Sequence, residues 1–155
     1  MPEATVNHST FTIERSLTAT PERVFAAFSD PEKKQRWFRE NQAFAVYELD
    51  FRVGGKETSS FTLSDQTPFP GVVCTNDTWY LDIVENRRIV LAYTMTLGGR
   101  RISASLATFE FAPAGDATSL TFTEQAAFFE GADGPEIRKG GWMELLEKLS
   151  REIAG

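Results

Sequence analysis

From Ala45 to Phe128 the chain alternates apolar and polar residues almost without a break, interrupted only by short turns. A run of strands joined in this way has one outcome. No connection reaches the roughly dozen residues of a crossover helix, so the strands must pair antiparallel with their neighbours in sequence. Ala45, Tyr47, Leu49, Phe51 and Val53 share one parity, and Gly54-Gly55 reads as a tight hairpin because glycine accepts positive φ. The return strand, Lys56 to Leu63, carries Phe61 and Leu63 on one parity, and Ser64 to Gly71 is a loop by composition. Val72 to Val84 follows with Trp79, Leu81 and Ile83 on one parity, then the turn Glu85-Asn86-Arg87. Ile89, Leu91, Tyr93, Met95 and Leu97 make the next strand before Gly98-Gly99; Ile102 to Phe111, the turn Pro113 to Asp116, and Thr118 to Phe128 complete the series.

The flanks are helical. An alternating strand at Ser9 to Leu17, with Phe11, Ile13 and Leu17 on one side, leads to Thr20-Pro21, an N-cap followed by proline at the first helical position. Val24, Phe25 and Phe28 form the stripe of that helix; Asp30-Pro31 repeats the device and opens a second short helix carrying Trp37 and Phe38. Beyond the loop Gly131 to Pro135, Glu136 to Ile153 places Trp142, Leu145, Leu146, Leu149 and Ile153 on one face. Gly140-Gly141 weakens this helix by about 1 kcal/mol per glycine relative to alanine, and is expected to let it bend or approach another backbone. A sheet of about seven antiparallel strands needs its apolar face covered, and the long terminal helix is the element able to cover it. The expected fold is therefore α+β, a curved sheet gripping one helix, in a single domain over residues 1–155.

Composition narrows the function. One His and one Cys exclude an internal disulfide and a zinc site of Cys and His, and any triad would have to use His8 near the terminus. A net charge of −6 disfavours nucleic acid and anionic membranes. No apolar run approaches the ~20 residues of a membrane helix, and the polar start of the chain lacks a signal-peptide core. A cytoplasmic location, no metal and no cofactor are the expectations. The 13 Phe, 3 Trp and 3 Tyr give a large apolar payload with few polar handles.

The order of elements, with these residues, resembles the START-like or SRPBCC superfamily, the fold of the major birch pollen allergen. More narrowly it resembles the family named after the activator of the heat-shock-protein-ninety ATPase. The resemblance is carried by Thr20-Pro21-Glu22-Arg23-Val24-Phe25-Ala26-Ala27-Phe28, Asp30-Pro31-Glu32 with Trp37, and Asp50-Phe51-Arg52-Val53-Gly54-Gly55. It continues in Tyr80 to Val84, Arg87 to Val90, Thr123-Glu124-Gln125 with Phe128, and Gly141-Trp142 before Leu145-Leu146. The resemblance implies a hydrophobic cavity between sheet and long helix that holds lipids, sterols, polyketides or hormones. It also implies, as an alternative, a protein-interaction module acting on a heat-shock ATPase, and as a further one a cofactor-free cyclase or isomerase. A binding protein is favoured over an enzyme; a homodimer and a heat-shock ATPase are the protein partners left open.

Strict alternation selects the candidate lining. With Leu49 and Phe51 inward, Tyr47 follows; Phe61 and Leu63 bring Ser59 and Glu57; Phe109 brings Ser103 and Ser105; Phe122 brings Glu124; Leu91 and Met95 bring Tyr93. Glu57, Tyr93, Ser105 and Glu124 are candidate polar groups of an apolar pocket, since an unpaired buried polar group costs about 1–3 kcal/mol. The alternatives are a bulge that flips their parity, or a place near an open mouth. Glu124 is the weak catalytic candidate, paired with Tyr93 or Glu57, because burial raises a carboxyl pKa. Trp37 and Phe38 are placed at the cavity opening, and Trp79, Leu81, Trp142 and Leu146 complete the candidate lining, with ordinary core as the competing assignment.

The charged residues read as surface. Lys33, Lys34, Arg36 and Arg39, flanked by Glu32 and Glu40, form a solvated helix face, and Arg52 pairs with Asp50 or Glu48. Arg87-Arg88 and Arg100-Arg101 sit at turns, neither Gly-Gly pair matches a phosphate loop, and Cys74 reads as a small packed residue.

Overall fold

The structure is a computed structural model that describes residues 5–38 and 44–154. Its elements are β1 (Asn7–Leu17), α1 (Pro21–Ser29), α2 (Pro31–Phe38), β2 (Phe44–Leu49), β3 (Lys56–Thr62), β4 (Val73–Val84), β5 (Arg88–Leu97), β6 (Arg100–Ala114), β7 (Ala117–Phe128) and α3 (Pro135–Ala154). Each short helix starts where its cap was expected. Thr20 is extended, with φ −68° and ψ 157°, and its hydroxyl accepts from the Arg23 N–H at 3.4 Å. Asp30 accepts from the Glu32 N–H at 2.9 Å, so one aspartate ends α1 and opens α2.

The strands form one sheet in the order β1-β7-β6-β5-β4-β3-β2, every neighbour antiparallel. β2 to β7 meander as short turns require. β1 pairs with the last strand instead, in a register that sets Phe11 opposite Glu124 and Ile13 opposite Phe122. This is the α+β helix-grip arrangement. The inner face carries Phe11, Ile13 and Leu17 of β1, Leu120 and Phe122 of β7, Phe109 and Phe111 of β6, and Ile89 and Leu91 of β5, all buried. Leu146, Leu149 and Ile153 of α3 close onto it, with Trp142 and Leu145 partly buried at its edge. The rings of Phe28 and Trp37, 5.1 Å apart, join the short helices to this core. Among the described residues no helix is long and apolar enough to cross a membrane.

Four local expectations are corrected. β2 ends at Leu49, so Phe51 and Val53 lie in the connection to β3 and Val53 is exposed. That connection folds on itself, Asp50 N–H to Lys56 O and Gly55 N–H to Arg52 O, and docks on β4 through Gly54 N–H to Tyr80 O. A Cβ on Gly55 would overlap the Asp50 carbonyl, so close approach, and not a two-residue hairpin, explains the glycine here. In β4, Tyr80 pairs with Leu91 and Asp82 with Val90, leaving Leu81 as an unpaired bulge. The inward set is therefore Cys74, Thr78 and Tyr80 up to the bulge and Ile83 after it, while Trp79 and Leu81, 37% and 50% exposed, face outward. Lys56 of β3 lies opposite Trp79, its Nζ 5.6 Å from the ring centre. Third, Lys34 is not on the solvated face of α2 but only 5% exposed; Arg39 and Glu40 of the same cluster lie outside the described residues, as does the side chain of Ala45. Fourth, a Cβ added to Gly140 or Gly141 would meet nothing within 4 Å, so these glycines mark open space and no backbone approach.

Candidate functional site

Between the inner face of β3 to β6, the short helices and the first half of α3 lies a cavity of about 450 Å³. The aromatic side chains surround it and do not fill it. Phe28, Trp37 and Phe38 form one wall, Phe61 and Phe69 another, and Phe109 and Trp142 a third; Leu91, Met95 and Leu97 lie between. Trp37 is held in place by its indole N–H, which donates to the Ala27 carbonyl at 2.9 Å. Trp142 rests on Phe122, ring centres 4.5 Å apart, and Phe122 in turn on Phe109 at 4.6 Å.

Two polar clusters are set into these walls. In the first, the Glu57 carboxylate on β3 accepts from Lys34 Nζ at 3.0 and 3.1 Å, from the Tyr47 hydroxyl at 2.7 Å and from the Tyr80 hydroxyl at 2.7 Å. Lys34 also lies 4.5 Å from the centre of the Phe38 ring. This cluster ties α2 to three strands of the sheet. Burial, reinforced by the adjacent Glu57 charge, holds the Tyr80 phenol well above its ordinary pKa.

The second cluster centres on Arg138 in the first turn of α3. Its Nε and Nη2 donate to the two oxygens of Asp133, each at 2.8 Å, and Nη2 also reaches Ser103 Oγ at 2.9 Å. Its Nη1 donates to the Tyr93 hydroxyl at 3.1 Å and to Glu124 Oε2 at 3.4 Å. Tyr93 donates to Glu124 Oε1 at 2.7 Å and accepts from the Trp142 indole N–H at 3.3 Å, while Ser105 donates to Glu124 Oε2 at 3.1 Å. Burial raises the Glu124 pKa, and the Arg138 charge with the Tyr93 and Ser105 hydroxyls opposes the rise without cancelling it. Burial pushes the Tyr93 phenol up too. For Arg138 burial acts downward, but Tyr93, Asp133 and Glu124 outweigh it, and the guanidinium stays charged.

Of the expected polar residues, Tyr93, Ser105 and Glu124 are brought together and Glu57 lies in the other cluster, each with a partner. Of the candidate lining, Trp37, Phe38, Glu57, Phe61, Tyr93, Met95, Phe109 and Trp142 border the cavity. Phe51, Phe122 and Leu146 are packed in or against the core, and Trp79 and Leu81 are on the outer face. Tyr47, Ser105 and Glu124 stand one layer back; Glu124, 0% exposed, supports Tyr93 and Arg138 and does not itself border the cavity. This places the weak catalytic candidate out of reach of a ligand. Cys74 does border the cavity, yet burial pushes its thiol up to about 12, so it is protonated and unreactive at neutral pH, as a small packed residue should be.

Sequence reasoning missed Lys34 and Arg138. A usable signal existed for both. Arg138 stands four residues before Trp142 and Lys34 three before Trp37, which puts each cation on the inward face of its helix.

Comparison with known proteins agrees with this architecture. The family model for "Activator of Hsp90 ATPase homolog 1-like protein" matches residues 18–154. The chain belongs to this family. Two solved structures with high similarity to the chain come from rhizobia. One, a protein from Rhizobium loti, is 44% identical, covers 96% of this chain and 99% of its own, and superposes with a TM-score of 0.87. The other, an uncharacterized protein from Rhizobium leguminosarum, is 38% identical over 99% of both chains, with a TM-score of 0.91. A protein from Chromobacterium violaceum follows at 28% identity, 94% and 98% coverage and a TM-score of 0.75. No curated protein matches the chain. The match spans α1 to α3, the elements that enclose the cavity.

Proposed function

We propose that the protein binds a small, mainly apolar ligand in the cavity between sheet and α3. The observation that carries this reading is a hollow of about 450 Å³ left between aromatic walls, within the size range of small-molecule sites. Protein interiors close to near-crystalline density when sequence allows it, and a hollow of this size between aromatic walls departs from that density. Here the open space is maintained by devices in the chain itself. Gly140 and Gly141 keep side chains out of one wall, and the two ion-paired clusters brace α2 and α3 against the sheet. A ligand would bury apolar surface at about 25 cal/mol per Å² before ordering costs.

Native mass spectrometry of freshly purified protein, with Nile red titration in parallel, tests the reading. The expected results are a co-purified small molecule or an enhanced, blue-shifted dye emission that a bulky replacement, Gly141→Phe, abolishes while the fold is retained. Absence of both a bound molecule and dye uptake would sink the proposal.

A further inference from the structure

We propose that this cavity accepts uncharged amphiphiles and excludes carboxylates, and that Asp133 sets the selectivity by occupying the guanidinium fork of Arg138. The inference rests on the cavity-binding reading above and specifies its ligand class.

An apolar cavity with two buried cations looks at first suited to a fatty acid. The hydrogen-bond geometry argues otherwise. A guanidinium has five N–H donors, and in Arg138 each has an acceptor: Asp133 takes the paired edge formed by Nε and Nη2, Ser103 shares Nη2, and Tyr93 and Glu124 take Nη1. The bidentate edge is the one a ligand carboxylate would use, and the protein's own carboxylate already fills it at 2.8 Å on both sides. Lys34 is likewise committed to both oxygens of Glu57.

The charge balance points the same way. Among the side chains that border the cavity, Lys34 and Arg138 are matched by Glu57 and Asp133, so no net positive charge is left to attract an anion. Glu144 and Lys148, one helical turn apart on the α3 wall, cancel each other. An entering carboxylate would lose its hydration and find the bidentate edge of Arg138 already taken. An alcohol avoids both penalties. Asn76 adds an uncharged polar side chain to the lining.

The test compares 1-decanol with decanoate, which share a chain and differ in the head group, by isothermal calorimetry at about pH 8, where the acid is ionised. The full chain should bind decanol at least about tenfold more tightly than decanoate, a difference of about 1.4 kcal/mol. Asp133→Ala should keep decanol binding, which also reports an intact fold, and gain decanoate affinity until the preference narrows or reverses. Equal or tighter binding of decanoate by the unmodified protein would overturn the selectivity while leaving the cavity-binding reading standing. Exclusion of decanoate that persists in both Asp133→Ala and Asp133→Asn would overturn the role of Asp133. Failure of both probes to bind would overturn the cavity-binding reading and the selectivity with it.

Discussion

The hydroxyl of Tyr93 donates to Oε1 of Glu124 at 2.7 Å across the width of β6, which lies between the two strands that carry them. The bond places a buried carboxylate under the cavity wall and makes the position of Tyr93 depend on a residue that does not border the cavity. Tyr93→Phe should therefore cost about 1–3 kcal/mol, the range for leaving a buried group without its hydrogen-bond partner, measured by urea unfolding. The pH dependence has a definite sign. Glu124 has a folded-state pKa above its ordinary 4.5, so its contribution to stability is fully present below that value and is lost as pH rises through the folded pKa. The stability advantage of the unmodified protein over Glu124→Gln should shrink as pH is raised from about 4.5. An advantage that grows over that range would show that the ionised form is the one the fold prefers.

The Lys34–Glu57 pair predicts strong non-additivity. Both side chains are nearly sealed from solvent, so Lys34→Met leaves a buried carboxylate without its cation and should cost about 3–5 kcal/mol. Glu57→Gln leaves the cation stranded instead. Replacing both by Met and Gln should cost less than the sum of the single changes, since no unpaired charge then remains. A double-mutant cycle in guanidinium chloride checks this; strictly additive losses would mean that the pair is solvated in solution.

What could be read from the chain, and what could not, follows from the range of each interaction. The inward parity of β5, β6 and β7 was legible because a strand's two-residue period is local: Tyr93, Ser105 and Glu124 each share parity with large apolar neighbours and all point inward. The same rule misplaced Trp79 and Leu81, because the bulge at Leu81 is fixed by pairing with β5 and by the docking of Gly54 and Gly55 on Tyr80, neither of which leaves a mark in β4 itself. The two cations were hidden for a different reason. Lys34 sits in a run of charged residues, and its partner Glu57 is 23 positions away; Arg138 finds Tyr93 45 positions back. Inward glutamates on two strands need partners, but that Lys34 and Arg138 supply them depends on how α2 and α3 dock.

Gly141 offers a stability gain at the expense of the cavity. It lies in α3 three residues after Arg138 and four before Leu145, on the sheet-facing side, and a Cβ there would meet nothing within 4 Å. Gly141→Ala should stabilise the protein by about 0.4–1 kcal/mol, since it restricts the unfolded chain and improves helix propensity without a clash. Thermal melts should show the increase, and Nile red uptake should fall only slightly. A loss of stability would mean that the helix needs the glycine for a bend.

Cys74 gives a reagent-based check of the cavity wall. Burial pushes its thiol up to about 12, so at pH 8 almost none is present as the nucleophilic thiolate. In the folded protein Ellman's reagent should react at least about a hundredfold more slowly than with a free cysteine of pKa near 8.5, and unfolding in urea should restore the full rate. Because Cys74 borders the cavity, the residual native rate also reports access: a ligand that fills the hollow should lower it further, whereas a molecule bound elsewhere should leave it unchanged. Rapid labelling of the folded protein would mean that β3 and β4 open far enough to expose the inner face, and that the cavity is in exchange with solvent on the timescale of the reaction.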